Sequence, residues 1–158
     1  MSLFLILLYL HIIGAIIAFG PGFAAMIVGP MVAKEPQHAN FYARTQLATG
    51  KKLVTPVALS MAVTGILMLA VNSGLGGFTG KAASLVVAIV LYVIAVVFAF
   101  VVQTPTGRKL VELTATPPAP GSPPNPEIPK TAARARNGGI LLSVLVLIIA
   151  FLMVTKPF

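Results

Sequence analysis

The longest segment without a formally charged residue lies at the start of the chain, and it constrains the fold more than any other feature. Residues 2–33 contain no acidic or basic side chain apart from the titratable imidazole of His11. A helix of this length, at ~1.5 Å per residue, is longer than the ~30 Å hydrocarbon core of a bilayer. The segment therefore predicts a membrane-spanning helix, which Pro21 is expected to interrupt near its middle.

The composition of the whole chain agrees with a membrane protein. Of its 158 residues, 58% are hydrophobic and 9% are charged, whereas about 25% of the residues in soluble domains are charged. Four apolar spans are predicted, too few for a closed barrel and therefore helical. They are residues 3–32, 53–71, 82–103 and 138–155. The predicted fold is all-α: one transmembrane domain over residues 1–158, an antiparallel four-helix bundle, with a Pro-rich cytoplasmic loop at residues 114–130.

The basic residues are distributed unevenly between the connections. All 11 Lys and Arg residues except Lys81 and Lys156 lie between spans one and two or between spans three and four. The positive-inside rule predicts that these two connections are cytoplasmic and that both termini are non-cytoplasmic. The net charge of +8 is therefore explained by basic residues at the cytoplasmic side of a membrane protein. We expect the lipid bilayer to be the partner, and the positive charge is not taken as a sign of nucleic-acid binding.

Small residues recur at helical spacing within the spans, where they let helices approach closely in lipid. The predicted helix-packing residues are Gly14, Ala18, Gly22, Ala25 and Gly29 in span one, Gly65 in span two, and Ala95 and Ala99 in span three. Such faces suit a compact bundle. They equally suit docking against other membrane protein subunits or formation of a homo-oligomer.

His11 is the histidine that falls inside a predicted span. A polar group in hydrocarbon needs a hydrogen-bond partner, and depth along the spans favours Tyr92 first and Thr64 second. His11 is either a structural histidine that joins two helices or a ligand for haem or copper. The other histidine, His38, falls in a cytoplasmic connection, so a second axial ligand for haem would come from a methionine or a second protomer.

Catalytic constellations are not found in the sequence. The chain has no cysteine, and its three acidic residues, Glu35, Glu112 and Glu127, all lie outside the spans. Paired carboxylates, a catalytic triad, a phosphate-binding loop or a metal-ligand cluster cannot be assembled within the spans. The predicted function is that of a non-catalytic structural or accessory subunit.

The segment YLHIIGAIIAFGPGFAAM, residues 9–26, resembles domain-of-unknown-function family 2269, a family of predicted bacterial integral membrane proteins. The shared features are the LH pair, two hydrophobic residues, GA, a glycine-rich half-helix and four spans. This resemblance implies a location in the bacterial cytoplasmic membrane. More distantly, LHIIG is similar to the first helix of HemJ-type protoporphyrinogen oxidases and CopD-like copper-resistance proteins. The HemJ-type resemblance implies haem binding by His11, so a haem- or porphyrin-handling protein with haem b is the alternative function.

Overall fold

The computed structural model describes residues 2–71, 82–116 and 125–155, and all regular structure in these ranges is helical. The α-helices are α1 (Leu3–Lys34), α2 (Ala39–Thr49), α3 (Thr55–Val71), α4 (Ala82–Phe98), α5 (Thr104–Thr114) and α6 (Glu127–Thr155). A 3₁₀ turn, Pro36–His38, precedes α2. Two π turns, Gly50–Val54 and Ala99–Gln103, join α2 to α3 and α4 to α5.

Four helical segments are long and apolar enough to cross a bilayer, which confirms the predicted all-α membrane fold. They are Leu3–Lys34, Pro36–Val71, Ala83–Thr114 and Glu127–Thr155. Their lengths of 29 to 36 residues correspond to roughly 44–54 Å of helix, more than the ~30 Å hydrocarbon core requires. Each helix therefore extends beyond the part that lipid has to cover.

The spanning helices pack in the order α3, α1, α6, α4. The main contacts join α1 to α3, α1 to α6 and α4 to α6, and the Tyr92 hydroxyl of α4 donates to the Ala58 carbonyl of α3. Small residues fill the interior, where Ala18 is 3% and Ala88 is 0% exposed. Many of the large aliphatic side chains point outward, as expected for a protein whose solvent is lipid.

A second, polar layer extends the bundle at one end. It consists of α2, α5 and residues 127–137 of α6, which pack in the order α2, α5, α6. We call this layer the polar cap, and we call α1, α3, α4 and residues 138–155 of α6 the membrane layer. The sequence assigned residues 34–52 to a cytoplasmic loop, but most of that segment is helix α2 and the π turn after it. Hydropathy marks where a chain becomes polar, and it does not mark where a helix ends.

Proline does not interrupt the helices in the way the sequence suggested. The expectation that Pro21 breaks the first helix was wrong, because α1 is continuous and contains both Pro21 and Pro30. In a membrane helix the missing backbone hydrogen bond is compensated by neighbouring groups and small adjustments of the backbone. Helix α1 ends before Glu35–Pro36. This is expected, because proline disfavours the helical conformation in the residue before it.

The two π turns share one sequence signature, a Thr-Pro pair directly after the turn. The pairs are Thr55–Pro56 and Thr104–Pro105. A proline ring collides with the carbonyl four residues earlier, and these carbonyls, of Lys52 and Val101, both lie inside the π turns. In the second turn the Thr104 hydroxyl also donates to the carbonyl of Ala99 at 2.9 Å.

The predicted Pro-rich loop is only partly described, since residues 117–124 lie outside the described ranges. The C-terminal end of the loop was predicted at residue 130. The loop ends earlier, because α6 begins at Glu127 and includes Pro129. Proline is tolerated in the first turn of a helix, where its missing N–H has no partner to lose. The side-chain oxygen of Asn125 accepts a hydrogen bond from the Glu127 N–H at 2.9 Å and supports this helix start.

Candidate functional site

His11 lies on the face of α1 that packs against α3, where its imidazole is half-buried. Its Nδ1 is 2.9 Å from Oγ1 of Thr64. The Thr64 hydroxyl also lies 3.1 Å from the Met61 carbonyl. Donation of the hydroxyl hydrogen to that carbonyl goes with the imidazole tautomer that has its hydrogen on Nδ1 and its lone pair on Nε2.

Two glycines bring α1 and α3 close enough for this hydrogen bond. A Cβ atom on Gly14 would lie 2.9 Å from Cγ of Met61, and one on Gly65 would lie 3.6 Å from Cε1 of His11. His11 and Gly14 are three residues apart on α1, and Met61 and Gly65 are four apart on α3, so each pair shares a helical face. The histidine is therefore held in a tight interface.

The structure brings His11 together with Thr64, the second of the two candidate partners. The first candidate, Tyr92, directs its hydroxyl to the backbone carbonyl of Ala58. That bond joins α4 to α3 across the bundle. Counting depth along the spans placed both side chains near His11, but it could not show which helix faces which.

The predicted helix-packing residues of α1 contact three different helices. Besides Gly14 against α3, the Cβ position of Gly22 is 3.4 Å from Oγ of Ser143 on α6, and that of Gly29 is 3.5 Å from the Tyr42 hydroxyl on α2. Ala25 accepts a long hydrogen bond from the same hydroxyl, at 3.4 Å. On the other helices, Ala95 and Ala99 are half-buried.

The hydrogen bond with Thr64 uses Nδ1 of His11, and histidines that bind metals are usually oriented through one ring nitrogen in this way. His38 lies beyond the other end of α1, roughly 35 Å away along the helix, beside Glu35 at 3.6 Å. The Met61 side chain packs against Gly14. Within the described ranges no three His, Cys, Asp or Glu side chains form a metal-binding group.

Two polar residues were not predicted as important, Asn40 at the outer end of the cap and Gln103 at its border with the membrane layer. Asn40 of α2 donates from Nδ2 to the Val111 carbonyl at 3.0 Å and to Thr114 Oγ1 at 3.1 Å, at the end of α5. Gln103 donates to the Ala135 carbonyl of α6 at 2.8 Å. The sequence signal is a polar amide at the end of an apolar span for Gln103 and an amide within a polar segment for Asn40, and neither pattern specifies a partner.

Comparison with known proteins gives one match. No curated protein and no solved structure shows significant similarity, so the more distant resemblance to HemJ-type and CopD-like proteins is not supported. A family of predicted integral membrane proteins, DUF2269, matches residues 5–157. This match covers nearly the whole chain, including His11, the four spanning helices and the polar cap. The resemblance seen in the first span is thereby confirmed, and the chain belongs to the DUF2269 family of predicted integral membrane proteins.

Proposed function

We propose that the protein is a non-catalytic accessory subunit that packs against other membrane proteins or against a second copy of itself. The observation that carries this proposal is a pair of small residues on the outer surface of α1. A Cβ on Gly20 would meet none of the described residues within 4 Å, and Ala24, one turn further along, is exposed. Small residues four apart on a lipid-facing surface let a second helix approach closely.

The contrast with the other small residues of α1 supports this assignment. Gly14, Gly22 and Gly29 face atoms of the same chain, so their small size is explained by packing within the bundle. Packing against the described residues of the chain does not explain why position 20 is a glycine. Large exposed side chains, Ile16 and Ile27, stand on either side along the helix and would surround a partner helix seated on Gly20 and Ala24.

The proposed orientation has both termini on the non-cytoplasmic side of a bacterial cytoplasmic membrane. It is supported by the distribution of charge. In the described ranges, every Lys and Arg lies in the polar cap, at the end of α1 or in the π turn after α2. A basic layer at one end of the bundle is the arrangement that the positive-inside rule assigns to the cytoplasmic face.

Co-purification in mild detergent tests the accessory role. We expect the wild-type protein to retain a membrane protein or a second copy, detected by mass spectrometry and chemical cross-linking, and Gly20→Leu to lose it. Ala70→Leu is the matched control, because it adds similar bulk at an exposed position of α3. If Gly20→Leu keeps its partner, the Gly20 surface is not the docking site. A wild-type protein that is always a lone monomer contradicts the accessory role itself.

A second candidate function, haem or porphyrin handling, is favoured by the geometry of His11. The Thr64 hydroxyl orients the imidazole and leaves Nε2 available as one axial ligand, while the other would come from a methionine or a second protomer. The test is an absorbance spectrum of protein purified from cells supplied with a haem precursor. A Soret band that disappears in His11→Ala and is weakened in Thr64→Val supports this function. A colourless, well-folded wild-type protein contradicts it.

A further inference from the structure

A groove of about 590 Å³ opens between α4 and α6, at the border of the polar cap and the membrane layer. Its two ends differ in chemistry. Lys130, Arg134 and Asn137 line one end, and Phe98, Val102 and Leu141 line the other. Neither the accessory role nor the role of His11 uses this groove.

The polar end of the groove presents two positive charges. Lys130, Arg134 and Asn137 are spaced by four and three residues, which places them on one face of α6. In the described part of the chain neither cation forms a contact ion pair. Glu127 is bound to Lys109 at 2.9 Å and interacts with Lys130 only through a weaker Coulomb attraction. Two adjacent cations and an amide are a suitable site for a phosphate group.

The other end of the groove is apolar and continues into the membrane layer. Leu141 lies seven residues beyond Arg134, or roughly 10 Å along the helix axis. Leu141 is 45% exposed, and Phe98 and Val102 are half-buried beside it. A groove that is cationic at one end and apolar at the other, at the level where headgroups meet hydrocarbon, has the polarity of an anionic lipid.

We propose that this groove binds an anionic phospholipid. The phosphate lies between Lys130 and Arg134, the Asn137 amide binds the glycerol or ester oxygens, and one acyl chain runs along Phe98, Val102 and Leu141. The apolar wall favours a lipid over free phosphate. The two cations favour an anionic lipid over a zwitterionic one.

Lipid binding to the purified full-length protein tests the proposal. In detergent, native mass spectrometry compares phosphatidylglycerol with phosphatidylcholine of the same acyl chains, and glycerol phosphate serves as a headgroup without chains. We expect the wild type to retain phosphatidylglycerol selectively. Because each basic residue contributes about fivefold to the attraction of anionic lipid, the double variant Lys130→Gln/Arg134→Gln should lower the affinity roughly 20- to 30-fold.

Arg136→Gln is the matched control for charge, because it removes one cation from the same helix at an exposed position outside the groove. Because Arg136 does not line the groove and its charge is screened by solvent, its removal should lower the affinity for phosphatidylglycerol by less than about twofold. Leu141→Gln should weaken lipid binding and leave any binding of glycerol phosphate unchanged.

Three results would overturn the proposal: equal retention of the two lipids by the wild type, the same loss in Arg136→Gln as in the double variant, or glycerol phosphate binding as tightly as the lipid. The wild-type comparison needs no variant, so it decides the matter even if a variant does not fold.

Discussion

The membrane layer and the polar cap share helix α6 and are connected through the two π turns, but they are held together in different ways. In the membrane layer, glycines and alanines bring backbones together, as at Gly14 and Gly65. In the cap, side chains bind across helices, as Asn40 binds the end of α5 and Lys109 binds Glu127. The two layers meet at Gln103, whose amide joins the second π turn to α6.

The physical reason for this difference is the solvent of each layer. In lipid there is no hydrophobic driving force for association between apolar helices. The attraction has to come from van der Waals packing between closely fitting surfaces. The cap helices α2 and α5 have only 11 residues each, a length at which an isolated helix is marginal in water. They depend on continuity with α3 and α4 and on polar contacts at their ends. The layers should therefore respond to different kinds of substitution.

The largest effect is expected from added bulk in the membrane layer. Gly14→Leu would place atoms where the Met61 side chain lies, since even a Cβ would be 2.9 Å from its Cγ. We expect a loss of about 2–3 kcal/mol in the free energy of unfolding, the usual range for overpacking, measured by denaturation in mixed detergent micelles.

Ala70→Leu is the control for that loss, because it adds bulk at an exposed position of α3 outside the proposed docking surface. Its unfolding free energy should remain close to that of the wild type. Equal losses in the two variants would mean that the tight contact with Met61 is not the cause, since leucine is a better helix former than glycine.

A smaller effect is expected from loss of a polar contact in the cap. Asn40→Ala removes donors to the Val111 carbonyl and to Thr114 at the end of α5. We expect a loss of about 1 kcal/mol and faster hydrogen exchange in the last turn of α5. Gln37→Ala, at an exposed position of the preceding 3₁₀ turn, should change neither quantity. Unchanged exchange in Asn40→Ala would show that α5 holds its end without this side chain.

The smallest effect is expected at His11. Thr64→Val keeps the shape of the side chain and removes the acceptor of Nδ1–H. The loss should be only about 0.6 kcal/mol, the average for hydrogen bonds between membrane helices. Ser60→Ala is the control, because that exposed hydroxyl bonds only within α3. A loss larger than that of Asn40→Ala would reverse the proposed ranking of the two layers.

The sequence predicted the membrane layer well because lipid imposes a simple rule on composition. Four long apolar segments lead directly to four helices. Helix α2 was missed because its residues carry the polar composition of a loop, and Thr104–Pro105 was predicted to end span three. Thr64 could be named as a partner of His11 from depth alone. The preference for Tyr92 required knowledge of which helices are neighbours, and this depends on packing between residues far apart in sequence.

The π turns also change the angular register along the continuous segments α2–α3 and α4–α5. A π turn contains one more residue than an α turn, so the residues on its two sides are offset by roughly 100° relative to an uninterrupted α-helix. The face of α2 that packs on α5 is therefore not aligned with the face of α3 that packs on α1. A helical wheel drawn across Gly50–Val54 or Ala99–Gln103 would combine two different faces. Deleting one residue from either turn would rotate one layer against the other while leaving the composition of both almost unchanged.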